Sequence, residues 1–485
     1  MEPTKRRVSR PAPRVGLLIT SIDVFSPEAK DRSEAALRAY FDTLLAGGAI
    51  APGSLVRGRV ENPHEALAAA DDFAAAVVDL VVIANVAFPN GNVFTAVATH
   101  PHLRSIPLAV VSDPEPPSNE WGTNAWCGVI MNNYAAVQMG RPIAAIPGPT
   151  TSTQFHTEFE RLLRVAGTIK GLRRDVLCRL GEAPGGFHCA SGNQLAYAAT
   201  FGTRVETIDL TAFIGVYGSG CARGPLGESA FTESDVAATV TRLAEGCAVE
   251  VDGERLSRSA RVYHTLRAMV RANGYTSLAL RCWPEFNEPY IDVTPCAAMG
   301  LLLADGEVSS ASCESDWPTA VMQTICAFLS DRPAACLDWV NHTGGSDIIQ
   351  LGHCGVGIPG QMAAPGQCRV CSTLTVHPVI RQAGGSKGPV HVGQFAPGPK
   401  TGVGITQTPD GRFRMLAFRG ESGPGTDLGI INSSADIRVP QFRQLNRLIL
   451  DNGFPHHLAM AMSDITGDLR LLCRFLGVEY LTPEA

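Results

Sequence analysis

Between Glu307 and His353, ionisable side chains appear where apolar, strand-like segments run out. Glu314 follows VSSASC, Asp338 follows AACL and His353 follows DIIQLG. In α/β architectures the carboxyl ends of strands are where side chains from distant parts of the chain converge on a ligand. Two carboxylates and an imidazole delivered this way suggest a divalent metal site, and a fourth donor is available from the pair His456-His457. Such a mixed oxygen and nitrogen set suits Mn²⁺, Fe²⁺, Co²⁺ or Zn²⁺, and the absence of thiolate leans away from structural zinc. Cys313 and Cys354 adjoin two of the candidates, but neighbours on an extended strand point to opposite faces, so they are left out. Taken singly, each candidate also has a plainer reading: a Glu before a helix stabilises its dipole, and a His after a strand is a satisfied core residue.

The elements that must position these residues are legible in the apolar pattern. The chain has 485 residues, 45% of them hydrophobic and 18% charged, which describes a globular protein with more than one core. A net charge of −6 with no dense Lys/Arg patch argues against nucleic acid as a partner. No run reaches the eighteen or more consecutive apolar residues of a membrane helix. The basic start around Lys5, Arg6 and Arg7 precedes an apolar stretch of only Val15 to Thr20, too short for a signal peptide, so it reads as the first strand. The 14 cysteines are scattered without a framework spacing, as expected for reduced thiols in a cytoplasm. The one C-x-x-C, Cys368 to Cys371, has no matching second pair and reads as two thiols on a turn.

Residues 1–165 read as a first α/β domain of order β-α-β-α-β, with continuous apolar strands such as VVDLVVIANV and IPLAVVSD. The first strand leads into TSIDVFS rather than G-x-G-x-x-G, so the shape is Rossmann-like without the usual dinucleotide cradle. Residues 166–335 form a second α/β domain carrying part of the site. It includes the strand SLALRCW, the helix CAAMGLLLADG and a helix opening near Asp316 or Trp317 with Pro318 in its first turn. Residues 336–485 turn β-rich, with short strands between Gly/Pro turns such as Pro409-Asp410-Gly411, and supply the further ligands. The expected fold class is therefore α/β: two Rossmann-like doubly wound domains followed by a barrel-like β-rich domain. Trp283 and Glu285 in RCWPEF are candidates to line a ligand pocket, because an aromatic face packs on C–H surface. Lys400 and Arg419 read as exposed charges.

Several blocks in order, ALRCWPEF, TPCAAMGLLLADGEVSSASCESD, CLDW, LGHCG and GFPHHLAMAMSD, resemble the L-fucose isomerase / L-arabinose isomerase superfamily, and the N-terminal block WCGVIMNNYAAVQMGRP is similar to a segment of those proteins. The resemblance implies metal ligands at Glu314, Asp338 and, of the histidine pair, His457, leaving His456 to face substrate. It makes His353 a match to an extra histidine used on the arabinose-isomerase side. It assigns acid–base work to Glu314 and Asp338, with Mn²⁺ as the expected cofactor and an open-chain monosaccharide as the small-molecule partner. It also implies a homo-oligomer, trimer or hexamer, with Asn132, Asn133 and Trp126 reaching a sugar, in a neighbouring subunit if the site crosses an interface. The activity implied is a cytoplasmic aldose–ketose isomerase working through an enediolate. A metal-dependent epimerase, aldolase or lyase on the same scaffold, or a non-catalytic sugar-binding protein, stands as the alternative. The chain is shorter than the fucose isomerases and lacks their basic first loop, so the sugar is left open, including deoxy and sulfonated hexoses.

Overall fold

The structure is a computed structural model describing residues 7–115, 122–218, 231–343, 347–354, 356–364, 367, 373–375, 388–423, 426, 428–429 and 432–483. Cys368 and Cys371 lie outside the described residues. The chain divides into two compact units, one of residues 10–171 with 468–477 and one of the remainder.

The first unit holds strands β1 (Val15–Thr20), β2 (Leu55–Val60), β3 (Leu80–Asn85), β4 (Leu108–Ser112) and β5 (Ala144–Pro147) in one parallel sheet of order β2-β1-β3-β4-β5. The connecting helices are α1 (Pro27–Ala46), α2 (Pro63–Ala75), α3 (Gly91–Thr99), α4 (Ala125–Gln138) and α5 (Thr153–Leu172). Successive strand residues face opposite sides of a sheet, so an unbroken apolar strand needs cover on both. Leu17, Ile19, Val82 and Ala84 pack with Leu37 and Phe41 of α1 and Phe155 and Phe159 of α5. Their neighbours Leu18, Val81 and Ile83 pack with Phe73 of α2, Phe94 of α3 and Val129 of α4. This two-sided cover is the doubly wound arrangement expected from the run of apolar strands. Helix starts follow local chemistry: the Ser26 and Asn62 side chains accept from the first turns of α1 and α2, each with Pro at its opening.

The second unit contains two sheets. Strands β6 (Val176–Leu180), β7 (Arg204–Ile208), β9 (Ser277–Leu280) and β10 (Ala311–Ser312) form a parallel sheet of order β10-β9-β6-β7. The larger sheet has ten strands: β8 (Ala248–Glu250), β11 (Ala335–His342), β12 (Ile348–His353), β13 (Thr373–Thr375), β14 (Val390–Gln394), β15 (Gly398–Gln407), β16 (Phe413–Ser422), β17 (Ser433–Arg438), β18 (His457–Ala461) and β19 (Glu479–Leu481). Within it β16, β15, β18, β11, β12 and β17 neighbour one another in turn, and Glu421 of β16 also pairs with Arg438 of β17, which closes these six into a ring. The β-rich region is thus barrel-like, as its alternating strands and turns predict. Among the described residues the further helices are α6 (Gln194–Thr200), α7 (Leu210–Gly218), α8 (Glu233–Ala244), α9 (Gly253–Ala272), α10 (Cys296–Asp305), α11 (Trp317–Ser330) and α12 (Phe442–Asn452), with α13 (Thr466–Leu476) falling mostly in the first unit. One apolar core runs from Leu180 and Leu278 through α10 to Leu337, Leu351, Phe418 and Met460, so both sheets share it.

Among the described residues no helix is long and apolar enough to cross a membrane. Helix α10 is buried along almost its whole length and stops at Gly306, whose φ of 68° is the left-handed conformation glycine tolerates best. Inside it, a Cβ on Gly300 would lie 2.0 Å from the Gly357 carbonyl oxygen. That obstacle is backbone and cannot swing aside, so Gly300→Ala is expected to cost about 3 kcal/mol in urea unfolding. An unchanged midpoint would show that the α10 packing yields.

Lys400 departs from the sequence reading. Far from an exposed charge, it is 1% exposed, and its Nζ donates to the carbonyls of Ala396 at 2.8 Å and Gly398 at 3.0 Å. Its strand runs between β16 and β18 in the large sheet, and burial pushes its ammonium pKa down to about 8. Arg419, in contrast, is an exposed charge beside Asp464.

Candidate metal centre

The site begins at the end of β10. After Cys313 the backbone enters the left-handed region at two successive non-glycine residues, Glu314 (φ 58°) and Ser315 (φ 59°). For an L-residue this conformation costs roughly 1 kcal/mol or more, so neighbouring bonds must hold it. Ser315 N–H donates to Leu280 O at 3.0 Å, Asp316 N–H to Cys313 O at 3.0 Å, and the Ser315 hydroxyl to Gly181 O. Arg179 Nε reaches the Ser315 hydroxyl at 3.3 Å. The twist ends the strand abruptly and lets Asp316 cap α11, where its carboxylate accepts from Thr319 N at 2.9 Å and Thr319 Oγ1 at 2.8 Å.

Asp338, His353 and His457 arrive on adjacent antiparallel strands. Asp338 of β11 stands directly opposite His457 of β18 on one side and Gly352 of β12, next to His353, on the other. Cross-strand partners share a face, and this register brings Asp338 and His457 together beside Glu314, while His353 approaches them from the last position of β12. His457 Nε2 lies 3.2 Å from Glu314 Oε2 and 3.2 Å from Asp338 Oδ1. His353 Nε2 lies 4.0 Å from Asp338 Oδ2. Ligand atoms of Glu314, His353 and His457 all fall within 4.8 Å of one another.

The other nitrogen of His457 is committed: Nδ1 is 2.7 Å from Asp316 Oδ2, both groups buried. A carboxylate can only accept, so Nδ1 carries the proton and neutral His457 turns the bare lone pair of Nε2 toward two carboxylate oxygens. Three acceptors then face one another with no donor between them. Glu314 Oε2, Asp338 Oδ1, His353 Nε2 and His457 Nε2 are all buried without a hydrogen-bond partner among the described residues. Leaving such groups unmet is costly, and a proton or a cation is what relieves it. The electrostatics register the same demand. Burial works against a charged His457, yet the carboxylates of Asp316, Asp338 and Glu314 hold its pKa far above the ordinary imidazole range. Burial raises Asp338, but His457 and His353 outweigh it and hold the carboxyl below its usual value. Two carboxylates and an imidazole oriented by a third carboxylate fit a divalent cation of the Mn²⁺ to Zn²⁺ series.

Around this cluster lies an aromatic rim. Trp283 Nε1 donates to Glu314 Oε1 at 3.2 Å, and Phe187 packs edge-on against Trp283 with centroids 5.6 Å apart. His456 is exposed, 4.3 Å from the His457 ring, and its Nδ1 meets Cys189 Sγ at 3.4 Å. Behind the cluster, Cys354 Sγ is 3.1 Å from His353 Nδ1, and the Cys313 thiol contacts those of Cys282 and Cys354.

Of the residues singled out from sequence, Glu314, Asp338, His353 and His457 come together, with Trp283 and His456 beside them. Glu285 is engaged elsewhere, held on both oxygens by Arg281 at 2.7 Å. Asn132 and Trp126 belong to the first unit, where Asn132 is buried with its Nδ2 3.4 Å from Asn85 Oδ1, and Trp126 is 49% exposed. Sequence reasoning placed Asp316 only near the start of a helix and missed its grip on His457. Phe187 and Cys189, in or beside the short turn His188–Ala190, carried no sequence signal.

Residues 16–173 match the family described as fucose/sulfoquinovose isomerase, N-terminal domain. A protein named sulfoquinovose isomerase from Alkalicoccus urumqiensis is 23% identical over 450 residues, 87% of this chain and 92% of the relative. One of the same name from Priestia aryabhattai is 23% identical over 371 residues, 74% of each chain. Another from Clostridium sp. (strain MSTE9) is 27% identical over 225 residues, 45% of this chain and 46% of the relative. These matches point the same way as the ordered sequence blocks and support a likeness to the fucose isomerase-like superfamily.

Proposed function

We propose that the protein is a metal-dependent aldose–ketose isomerase that moves a proton between C1 and C2 of an open-chain sugar through an enediolate. The observation that carries this reading is the convergence of Glu314 Oε2, Asp338 Oδ1 and His457 Nε2, three buried acceptor atoms with no donor among them. Isomerisation needs a carbon-bound proton and a hydroxyl proton to change places, and two carboxylates beside a cation site supply the acid–base groups. A divalent cation bound by Glu314, Asp338 and His457, Mn²⁺ in our reading, supplies Lewis-acid stabilisation of the charge that develops on the sugar oxygens.

The chain's own residues divide the remaining work by burial. Glu314 has a side chain only 12% exposed, and its Oε1 is fixed by the Trp283 N–H. Shielded from water, it is suited to take the carbon-bound proton and return it to the neighbouring carbon. Asp338 is 32% exposed, so it suits the hydroxyl proton, which exchanges with solvent in any case. Asp316 keeps the Nδ1 proton on His457 and so keeps its Nε2 free to bind. Trp283 and Phe187 offer aromatic surface to the C–H faces of a sugar. The names of the relatives put sulfoquinovose first among the sugars to try.

The test is a panel of aldoses and ketoses, sulfoquinovose among them, incubated with Mn²⁺-loaded protein in D₂O and followed by NMR. Ketose formation with deuterium entering at the carbons that exchange the proton is expected, abolished by EDTA and restored by Mn²⁺. Metal bound with no exchange in any sugar, or cleavage to shorter products, would overturn the reading.

A further inference from the structure

The two histidines at the centre differ in what their inner nitrogens meet. For His457, Nδ1 meets a carboxylate, which can only accept, so Nε2 is left as a lone pair. For His353, Nδ1 lies 2.9 Å from the backbone N–H of Cys354, which can only donate. Its Nδ1 must therefore accept, and the proton of the neutral ring sits on Nε2. If the ring were cationic, the added proton would go to Nδ1, where the Cys354 sulfur stands at 3.1 Å. Nε2 carries a hydrogen in both forms.

A protonated Nε2 has no lone pair to give a metal. It is buried without a hydrogen-bond partner among the described residues, and Asp338 Oδ2, at 4.0 Å, is beyond hydrogen-bond reach. We propose that His353 is not a metal ligand: it is a hydrogen-bond donor whose Nε2–H is aimed at an oxygen of the sugar bound against Glu314, Asp338 and His457. This rests on the isomerase reading for the identity of the acceptor, but not for the state of the nitrogen. The N–H is in place before substrate arrives, held by β12 and by the Cys354 amide, so it stabilises charge developing on that oxygen without reorganising. Glu314, Asp338 and His457 would then be the side chains that hold the cation.

Two measurements test this. In wild-type protein loaded with Mn²⁺, electron spin-echo modulation counts the imidazole nitrogens coupled to the metal. One, from His457, is expected, and two would overturn the proposal. In His353→Ala, the Mn²⁺ dissociation constant from the electron paramagnetic resonance of free Mn²⁺ is expected to stay within about threefold of wild type, well short of the roughly 10–100-fold that losing even a partner of a ligand costs. The same variant should lose about 100-fold in kcat, the usual effect of removing one oxyanion donor, with part restored in His353→Gln, whose amide N–H can still donate. A hundredfold loss of Mn²⁺ affinity, or an undiminished kcat, refutes the assignment. If wild-type protein turns over no sugar at all, the isomerase reading fails by itself, while the nitrogen count still decides whether His353 touches the metal.

Discussion

Glu314→Gln is expected to fold normally and to lose isomerase activity by about 10³-fold or more, the range set by removing a general base together with a charged ligand. The substitution keeps the shape of the side chain, and an amide oxygen can still accept from Trp283 Nε1, which now reaches Glu314 Oε1. The left-handed backbone at Glu314 and Ser315 is fixed by main-chain bonds and the Ser315 hydroxyl, none of which the change touches. What disappears is the base. Deuterium incorporation from D₂O reads that loss directly, because it reports proton abstraction even when net conversion is slow. Circular dichroism on the same sample confirms the fold. Turnover near the wild-type rate would transfer the acid–base role to another residue and leave Asp338 as the first to examine.

The second large effect falls on stability and metal binding together. His457→Ala removes the imidazole that separates Asp316 from Glu314 and Asp338. Asp316, fully buried, is then left with Thr319 as its side-chain partner among the described residues, and the two other carboxylates face each other across a cavity. Breaking a buried ion pair from one side costs about 3–5 kcal/mol, measurable as a lowered urea midpoint of the metal-free protein. Mn²⁺ affinity should fall more than 100-fold, since a ligand counts for more than its supporting partner. Asp316→Asn separates the two roles. Asn remains a good helix cap for α11, so stability should move little, while the His457 ring loses the acceptor that sets its tautomer and Mn²⁺ affinity drops roughly 10–100-fold. A His457→Ala protein that unfolds at the wild-type midpoint and still binds Mn²⁺ would remove His457 from the centre.

The sequence by itself determined the materials and most of the scaffold. Unbroken apolar runs such as Leu80–Asn85 can only be strands covered on both faces, which is why the doubly wound first unit was legible. Turn chemistry at Pro409-Asp410-Gly411 and the alternating strands around it announced a β-rich region, though not that Glu421 opposite Arg438 closes six strands into a ring. Glu314 and Asp338 stood out because acids that follow apolar runs are hard to explain as core, although Asp338 sits within β11 and not at its end.

What only the tertiary structure decided is pairing across distance. Asp316 and His457 are 141 residues apart and meet because β18 lies beside β11 and α11 packs against the barrel. A cap residue gives no sign of its second partner, since its local role already accounts for it. Lys400 looks like any surface lysine until its strand is placed between two others in the sheet. The two site histidines are alike in one dimension. Which nitrogen of each carries the proton depends on whether a carboxylate or a backbone N–H stands behind the ring, and that is set by fold geometry that residue types and spacing do not encode.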